Sequence, residues 1–478
     1  MGLKTQTVNS TAWVTGGLIA NQGINLLRLA VFARILTPED FGIYAMVMVL
    51  FMFLTTAGDL GSSAAIVQRE KVSQSLLSTI FYSNLIFGAV LALLLYSVSP
   101  FAAAVYGEPK VAAMLALMSI IFVISSGGFV HAALLRKEME FRKLTISNIT
   151  ANLLSSILSI YLAVKGFGYL SFAIQVLSHA VLFTGFLFIA RRWRPGLTFS
   201  ITDLKSVLGF SANLTAFNFI DYAASNADKF LVGKFLGSSA LGAYYLGFRL
   251  ILMPVKQAVA SASSVIFSVL SKLQNQPVQF TEVFLKVVSA VSFLVAPLVF
   301  FVFVTSDLLT VVLFGDNWSD ASSVIALLAP AALIQSILSP CGLICLVKDR
   351  TDILLKLSLL VLAVIPAGVL IGLQWGADGA ALAYTLCSFL LAVPSAYYSL
   401  RLAGITVRQL LQSINIPVFA AALVALVVGL CREHLVPMMG LNEVFELAFS
   451  LLLGASLYLL AMGKTIREEI IFLRERKA

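Results

Sequence analysis

Charge is what this sequence has least of: 12% of its 478 residues are Asp, Glu, Lys or Arg, while 60% are hydrophobic. Soluble domains carry about 25% charged and about 45–50% apolar residues, so a water-exposed surface cannot be covered from so small a polar stock. Histidine and cysteine are scarce as well, at 3 and 4. Cys341, Cys345, Cys387 and Cys431 all lie in apolar stretches. Cys341 and Cys345 are one helical turn apart, but no histidine or second cysteine pair completes a metal set, and all four read as small packing residues. Long polar segments are missing too. The longest on the side away from the basic loops, around Ser306–Ser323, is too short for a catalytic domain, which argues against a membrane polymerase or ligase. The first apolar stretch is long and lacks a small-residue cleavage site, so no cleavable signal peptide is expected.

What the sequence does have is hydrocarbon, with a mean hydropathy of +0.97. A span needs about 20 mostly apolar residues, because the bilayer core is about 30 Å thick and a helix rises about 1.5 Å per residue. Without water, backbone groups must pair within helices or a closed barrel. Runs such as Leu85–Val98 and Val291–Val304 do not alternate polar with apolar, which selects helices. Fourteen such stretches succeed one another, from about 13–36 and 41–61 to about 414–431 and 444–462. The first and the seventh, about 207–233, are the least hydrophobic. The predicted fold is an all-α membrane protein of about 14 transmembrane helices.

The net charge of +9 would suit nucleic acid or anionic lipid if it were clustered, but its distribution follows the spans. Odd-numbered gaps hold almost no base: Thr37–Asp40 has none, and neither has Asp307–Asp320. Even-numbered gaps are basic, as in Arg136, Lys137, Arg142 and Lys143, or Arg191, Arg192, Arg194 and Lys205. Counted this way, 23 of the 32 basic residues fall on one side. The positive-inside rule then places both termini in the cytoplasm. No nucleic-acid partner is expected.

An internal repeat runs at an offset of about 200. Arg34-Ile35-Leu36 through Phe41-Gly42-Ile43-Tyr44 aligns with Lys234-Phe235-Leu236 through Leu241-Gly242-Ala243-Tyr244. Tyr106-Gly107-Glu108 answers Phe314-Gly315-Asp316, and Leu134 through Glu138 answers Leu346 through Arg350. Two parallel six-helix bundles follow, pseudo-symmetric about an axis along the membrane normal. Residues 1–194 form the first, 195–206 a cytoplasmic linker with its hinge in Arg191–Lys205, and 207–403 the second. Residues 404–478 add two further helices and a basic tail.

Ionisable groups inside spans are expensive and face a cavity or a partner. Asn21, Asn25 and Arg28 share one face of the first span. Asp221, Ser225 and Asp228 repeat that spacing on the seventh, with Asn218 beside them, and Arg249 and Lys256 lie seven apart on the eighth. Pseudo-symmetry would turn these stripes toward a shared central cavity, with Lys256, Arg249 and Arg28 as anion-binding candidates. Asp221 and Asp228 are candidates for a titrating or cation-binding carboxylate. The structural alternative is a local pair, Arg28 with Asp228 or Lys229 with a neighbour. Asp59, in Gly58-Asp59-Leu60-Gly61, is either a gating carboxylate or a cap on the following segment. His131 and His179 read as interhelical hydrogen bonds or as proton relays. Pro254, Pro297, Pro330, Pro340, Pro366 and Pro394 interrupt spans eight to twelve and would kink them. Gly463-Lys464-Thr465 imitates the end of a P-loop, but Tyr458 stands where the earlier glycine is required, so no nucleotide site is predicted.

The ordered set of local motifs resembles the polysaccharide exporters of the MOP superfamily, the colanic-acid and teichuronic-acid type of lipid-linked oligosaccharide flippase. It comprises Ala33-Arg34-Ile35-Leu36 with Phe41-Gly42, Asp59-Leu60-Gly61 through Ile66-Val67-Gln68-Arg69, Leu134 through Phe141-Arg142-Lys143, Arg194-Pro195-Gly196, and Leu313-Phe314-Gly315-Asp316-Asn317-Trp318. The resemblance covers about residues 1–410. It implies two bundles around a cationic cavity, working by alternating access in the bacterial inner membrane. It also implies an undecaprenyl-pyrophosphate-linked oligosaccharide as substrate, for export of an exopolysaccharide, O-antigen or similar polymer. Basic residues would hold the pyrophosphate, and Asn21, Asn25 and Asn218 the sugars. No cofactor is implied beyond an H+ or Na+ gradient. Implied partners are membrane lipids, a polysaccharide polymerase and chain-length proteins. The competing expectation is an ion-coupled small-molecule or drug antiporter of the same superfamily, which would want acidic cavity residues without the basic counterweight of Arg28, Arg249 and Lys256.

Overall fold

The computed structural model describes the backbone of residues 3–56, 58, 62–70, 72–208, 212–252, 255 and 266–475. Side chains are described from 12 to 463, apart from 205–218, 253–254, 256–265 and positions 57, 59–62, 64 and 71. Among these residues every regular element is helical. Eleven stretches are long and apolar enough to cross a membrane. One of them, Thr351–Ala403, is two helices joined at Leu373–Trp375, and another, Phe219–Leu252, is broken at Gly237. The first helix, α1 (Leu3–Ile35), is long enough but too polar to reach that threshold. Counting it and both halves of the two merged stretches brings the number to about fourteen. By packing, the chain divides into two compact units, Met1–Gly242 and Ala243–Ala478. The boundary falls inside a helix that the sequence repeat assigns to the second half.

The first unit holds α1, α2 (Pro38–Thr55), the short α3 (Ser62–Gln68), α4 (Gln74–Tyr106), α5 (Pro109–Lys137), α6 (Phe141–Val164), α7 (Leu170–Ala190), α8 (Ile201–Leu208) and most of α9 (Ala212–Gly247). Thr37 starts α2 through a capping box. Its hydroxyl accepts from the Asp40 N–H, while the Asp40 carboxylate accepts from the Thr37 N–H at 3.0 Å, satisfying two orphan donors of the first turn. Phe172 of α7 fills the space between α1 and α2, edge-on to Phe32 and Phe41 and stacked on Tyr44 at 4.4 Å. The expected hinge at Arg191–Lys205 is no slack loop. It is strapped along α4: Trp193 donates to Gln74 and Gln74 to the Arg194 carbonyl, both at 2.8 Å, while the Gly196 N–H donates to Ser78 and the Ser200 N–H to Thr79. Ser75 closes the strap on Asp203. Trp193 also packs on the buried cluster of Ile66, Leu76, Ile80 and Val130.

The second unit holds α10 (Pro277–Val304), the short α11 (Ser306–Phe314), α12 (Ser319–Val347), α13 (Thr351–Gly372), α14 (Gly376–Ala403), α15 (Val407–His434) and α16 (Glu443–Glu475). Its core gathers Phe280, Phe284, Ile337, Cys341, Ile344 and Leu400, and the free cysteines Cys341 and Cys345 are buried as packing residues. The repeat is visible in the turns. Gly107 and Gly315 both take positive φ, 71° and 91°, where a side chain would strain the backbone. Helices α5 and α12 have 29 residues each. Both close with the same turn: Glu140 N–H to Leu135 O in one and Arg350 N–H to Cys345 O in the other, around Met139 and Asp349 at φ 57° and 54°. Structural equivalence here is at an offset of 210, so Leu134 through Glu138 corresponds to Ile344 through Lys348. The residue-by-residue match placed it two positions further on, at an offset of 212, while the 3-10 turn at Asp316–Trp318 accounts for the step from 208 at Gly107 and Gly315 to 210 along these helices. Pro297, Pro330, Pro340, Pro366 and Pro394 all sit inside helices that run on through them. The sharp break is at Gly237 instead (φ 84°, ψ −177°).

Candidate functional site

The predicted stripe on α1 is assembled. Arg28 donates to Asn152 Oδ1 at 3.1 Å and to Ser156 Oγ at 3.0 Å, both on α6, and to Asn25 Oδ1 at 3.0 Å. Asn152 in turn donates to Asn21 Oδ1 at 2.8 Å and Asn25 Oδ1 at 3.3 Å. One turn earlier on α6, Asn148 Oδ1 accepts from His179 Nε2 of α7 at 3.1 Å. Arg28, Asn21 and Asn25 therefore belong to one polar seam linking α1 and α6. Asn148, Asn152 and Ser156 complete it, and the sequence reading missed them. The signal was available: 148, 152 and 156 lie at i, i+4 and i+8, one face of a helix. His179 makes the interhelical hydrogen bond given above, whereas His131 bonds the Trp193 carbonyl of the linker at 3.2 Å and meets the α7 ring of Phe188, 3.9 Å between centroids.

The other candidates separate. Asp228 is fully buried beside Lys229, at 3.4 Å, which is the local pair foreseen for Lys229. Asp221 is exposed on the same helix. Arg249 lies half-buried in the second unit, in a π-helical turn at Phe248–Leu252, with its guanidinium 5.9 Å from the Tyr245 ring centre. Such turns frequently mark functional positions in helices. Lys256, Asp59 and Pro254 lie outside the described residues, as does the side chain of Asn218.

Each unit also contains a cavity. That of the first, about 440 Å³, lies among α2, α3, α5 and α7 and is bordered by Thr55, Ser125, Arg136, His179 and Thr184 beside aromatic rings. That of the second, about 470 Å³, lies among α10, α15 and α16 and is almost wholly apolar, with Tyr458 as its one polar liner. The Tyr458 hydroxyl donates to the Phe293 carbonyl at 3.0 Å. Above that cavity Arg432 of α15 holds three elements at once. It donates to both oxygens of Asp307 at 3.1 and 3.0 Å, to Glu446 at 3.0 Å and to the Val304 carbonyl. Partial burial by itself would raise the Asp307 carboxyl. The hydrogen bonds from Arg432 and the Leu308 N–H, with the guanidinium charge, outweigh it and hold that carboxyl below its usual range. Among the described residues no group of His, Cys, Asp and Glu could hold a metal ion.

A two-unit, all-helical membrane protein with these elements has the transporter fold of the MOP superfamily. The chain superimposes on the lipid II flippase MurJ in an inward closed conformation with a TM-score of 0.70, covering 95% of this chain and 99% of that one at 14% identity. An inward-facing multidrug resistance MATE family transporter of the MOP superfamily gives 0.63, covering 80% and 95%, also at 14% identity. Residues 31–323 match the polysaccharide biosynthesis protein family, and the chain belongs to that family. Among its relatives are the lipopolysaccharide biosynthesis protein WzxC of Escherichia coli, 27% identical over 90% of this chain and 88% of that protein, and the teichuronic acid biosynthesis protein TuaB of Bacillus subtilis, 25% identical over 97% and 96%. Family and fold together place the chain among transporters rather than enzymes.

Proposed function

We propose that this protein flips lipid-linked oligosaccharides across the bacterial inner membrane by alternating access, supplying an exported polysaccharide. The observation that carries the reading is the Arg28 seam. A cationic group held by amide and hydroxyl oxygens between two membrane helices is an expensive arrangement, and it suits a passing pyrophosphate and its sugars. The relatives named for lipopolysaccharide, teichuronic acid and succinoglycan support a polymer precursor as cargo. In this reading Arg28, Arg249 and Lys256 attract the pyrophosphate, and Asn21, Asn25 and Asn218 bind sugar hydroxyls. Asp221, Asp228 and Asp59 serve coupling to an H+ or Na+ gradient or gating. Both termini face the cytoplasm, residues 1–194 and 207–403 are the two repeats, and a polymerase with chain-length proteins receives the product.

The test is complementation of a strain lacking its own flippase, reading surface polymer and the lipid-linked precursor left on the inner leaflet. Restored polymer with falling precursor is the expected result. No restoration by well-inserted protein would end the reading. Arg249→Ala combined with Lys256→Ala, at matched protein level, should reduce export, and wild-type export in that double variant would remove the anion site.

A further inference from the structure

Gly42 and Gly242 are one position of the repeat, and the fold brings them to one spot. A Cβ on Gly42 would stand 1.7 Å from the Ser238 carbonyl oxygen, and a Cβ on Gly242 would stand 1.9 Å from the Pro38 carbonyl oxygen. Position 42 meets 238, and 242 meets 38. The same offset of 200 thus links both halves of the contact, which is the reciprocal pattern of an isologous interface about a twofold axis. The chain makes with itself the contact that two copies make in a symmetric dimer.

The two sides reach this point by different means. Thr37 and Asp40 cap the start of α2 and so aim the Pro38 carbonyl. Gly237, at φ 84°, breaks α9 and re-aims Ser238. At the crossing, glycine Cα lies against carbonyl oxygen, a contact of van der Waals and weak Cα–H···O character. Small residues are what let helices approach so closely where lipid offers no hydrophobic drive. Both helices meet near their N-terminal ends, where the partial positive charges face each other. The contact is therefore demanding in shape and undemanding to part. Longer-range packing flanks it: the Tyr222 hydroxyl donates to the Met48 carbonyl at 3.3 Å, and Phe53 meets Phe219 at 4.8 Å.

We infer that Gly42 and Gly242 are the outer clasp of the transport cycle, closed in this structure and parted when cargo leaves on the far side. The inference rests on the alternating-access reading above and on the base-poor hairpins 37–40 and 237–240 facing outward. It makes the two glycines positioning residues for the export step, since each acts only by letting the other helix come close.

The test replaces the four cysteines, introduces Ser225→Cys on the exposed face of α9, and applies a membrane-impermeant maleimide to whole cells. Gly42→Ala and Gly242→Ala should each raise labelling from outside several-fold. The double variant should add little to the larger single effect, because separation that admits one Cβ admits both. Gly233→Ala is the control: its Cβ would meet the Leu241 Cδ2 at 2.9 Å, a side-chain end able to turn aside, so labelling should stay at the wild-type level. Unchanged labelling in well-inserted glycine variants overturns the clasp. So does loss of both variants from the membrane, which would make the contact obligatory in every state, and so does an equal rise for Gly233→Ala. Export is read in the same cells, where failure of the parent chain to export would strike the flippase reading while leaving the labelling result intact.

Discussion

The two cavities are nearly equal in size, about 440 and 470 Å³, and opposite in character. The first is edged by Thr55, Ser125, His179 and Arg136, one turn of α7 and α6 away from the Arg28 seam. The second is walled by Phe293, Phe301, Val424 and Leu451, and its polar chemistry is confined to the Arg432 clamp at one end. Two units that close equal-length helices with the same turn nevertheless line their cavities with different side chains. A repeat preserves backbone devices such as the positive-φ turns at Gly107 and Gly315, while side chains on the helix faces are free to diverge. The polar lining of one cavity and the apolar lining of the other are differences of side chain on a shared backbone plan.

That contrast is broken most directly at Arg28. Hydrogen bonds to charged groups contribute about 1.5–3 kcal/mol, so Arg28→Ala should lower export by about tenfold or more. Surface polymer at matched protein level measures it. Arg28→Lys should recover only part, because an ammonium cannot reproduce the guanidinium fork that reaches Asn25, Asn152 and Ser156 together. Arg432→Ala should act on the other side of the comparison. It leaves Asp307 and Glu446 without their shared donor, and should cost about 1–3 kcal/mol of stability, seen as a lower Tm in detergent with export largely kept.

Glycine substitutions sharpen the contrast further. A Cβ on Gly454 would touch Val428 at 3.5 Å and Phe301 at 3.8 Å, ordinary contact beside the apolar cavity. Gly454→Ala should therefore be neutral or stabilising by about 0.4–1 kcal/mol. Gly128→Ala, facing Leu187 Cδ1 and Thr184 Oγ1 at 3.2 Å beside the polar one, should gain less. The smallest effect concerns pH. The Asp307 carboxyl is held low when folded, so its contribution is present above the ordinary carboxylate range and disappears as pH falls through the lowered value. Wild type and Asp307→Asn should differ in Tm near neutrality and converge in acid. A gap that widens in acid would contradict this.

Much of the scaffold was legible in the sequence. Apolar runs of spanning length, alternating basic gaps and the offset near 200 are local or periodic signals, and they gave about fourteen helices in two repeats. The polar seam was legible by half. Asn21, Asn25 and Arg28 announce a shared face, whereas their partners at 148, 152 and 156 are more than 120 residues away, and no sequence spacing links the two sets. The strapped linker was read as a hinge because Arg194-Pro195-Gly196 looks like loop. What fixes it is the row of Gln74, Ser75, Ser78 and Thr79 on another helix. The break at Gly237 was legible too, because the repeat aligns residues 237–240 with the Thr37–Asp40 hairpin, whereas the prolines read as kinks proved compatible with continuous helix.

The strap changes how much free chain the connecting segment really offers. The segment from Arg191 through Lys205 has fifteen residues, and fully extended they would reach about 50 Å, ample for any swing. With Trp193, Gly196, Ser200 and Asp203 each moored to α4 and residues 201–208 wound into α8, none of that length is slack. Extra residues inserted before Ser200 would bulge into solvent and release nothing, because the moorings on either side of them stay in place.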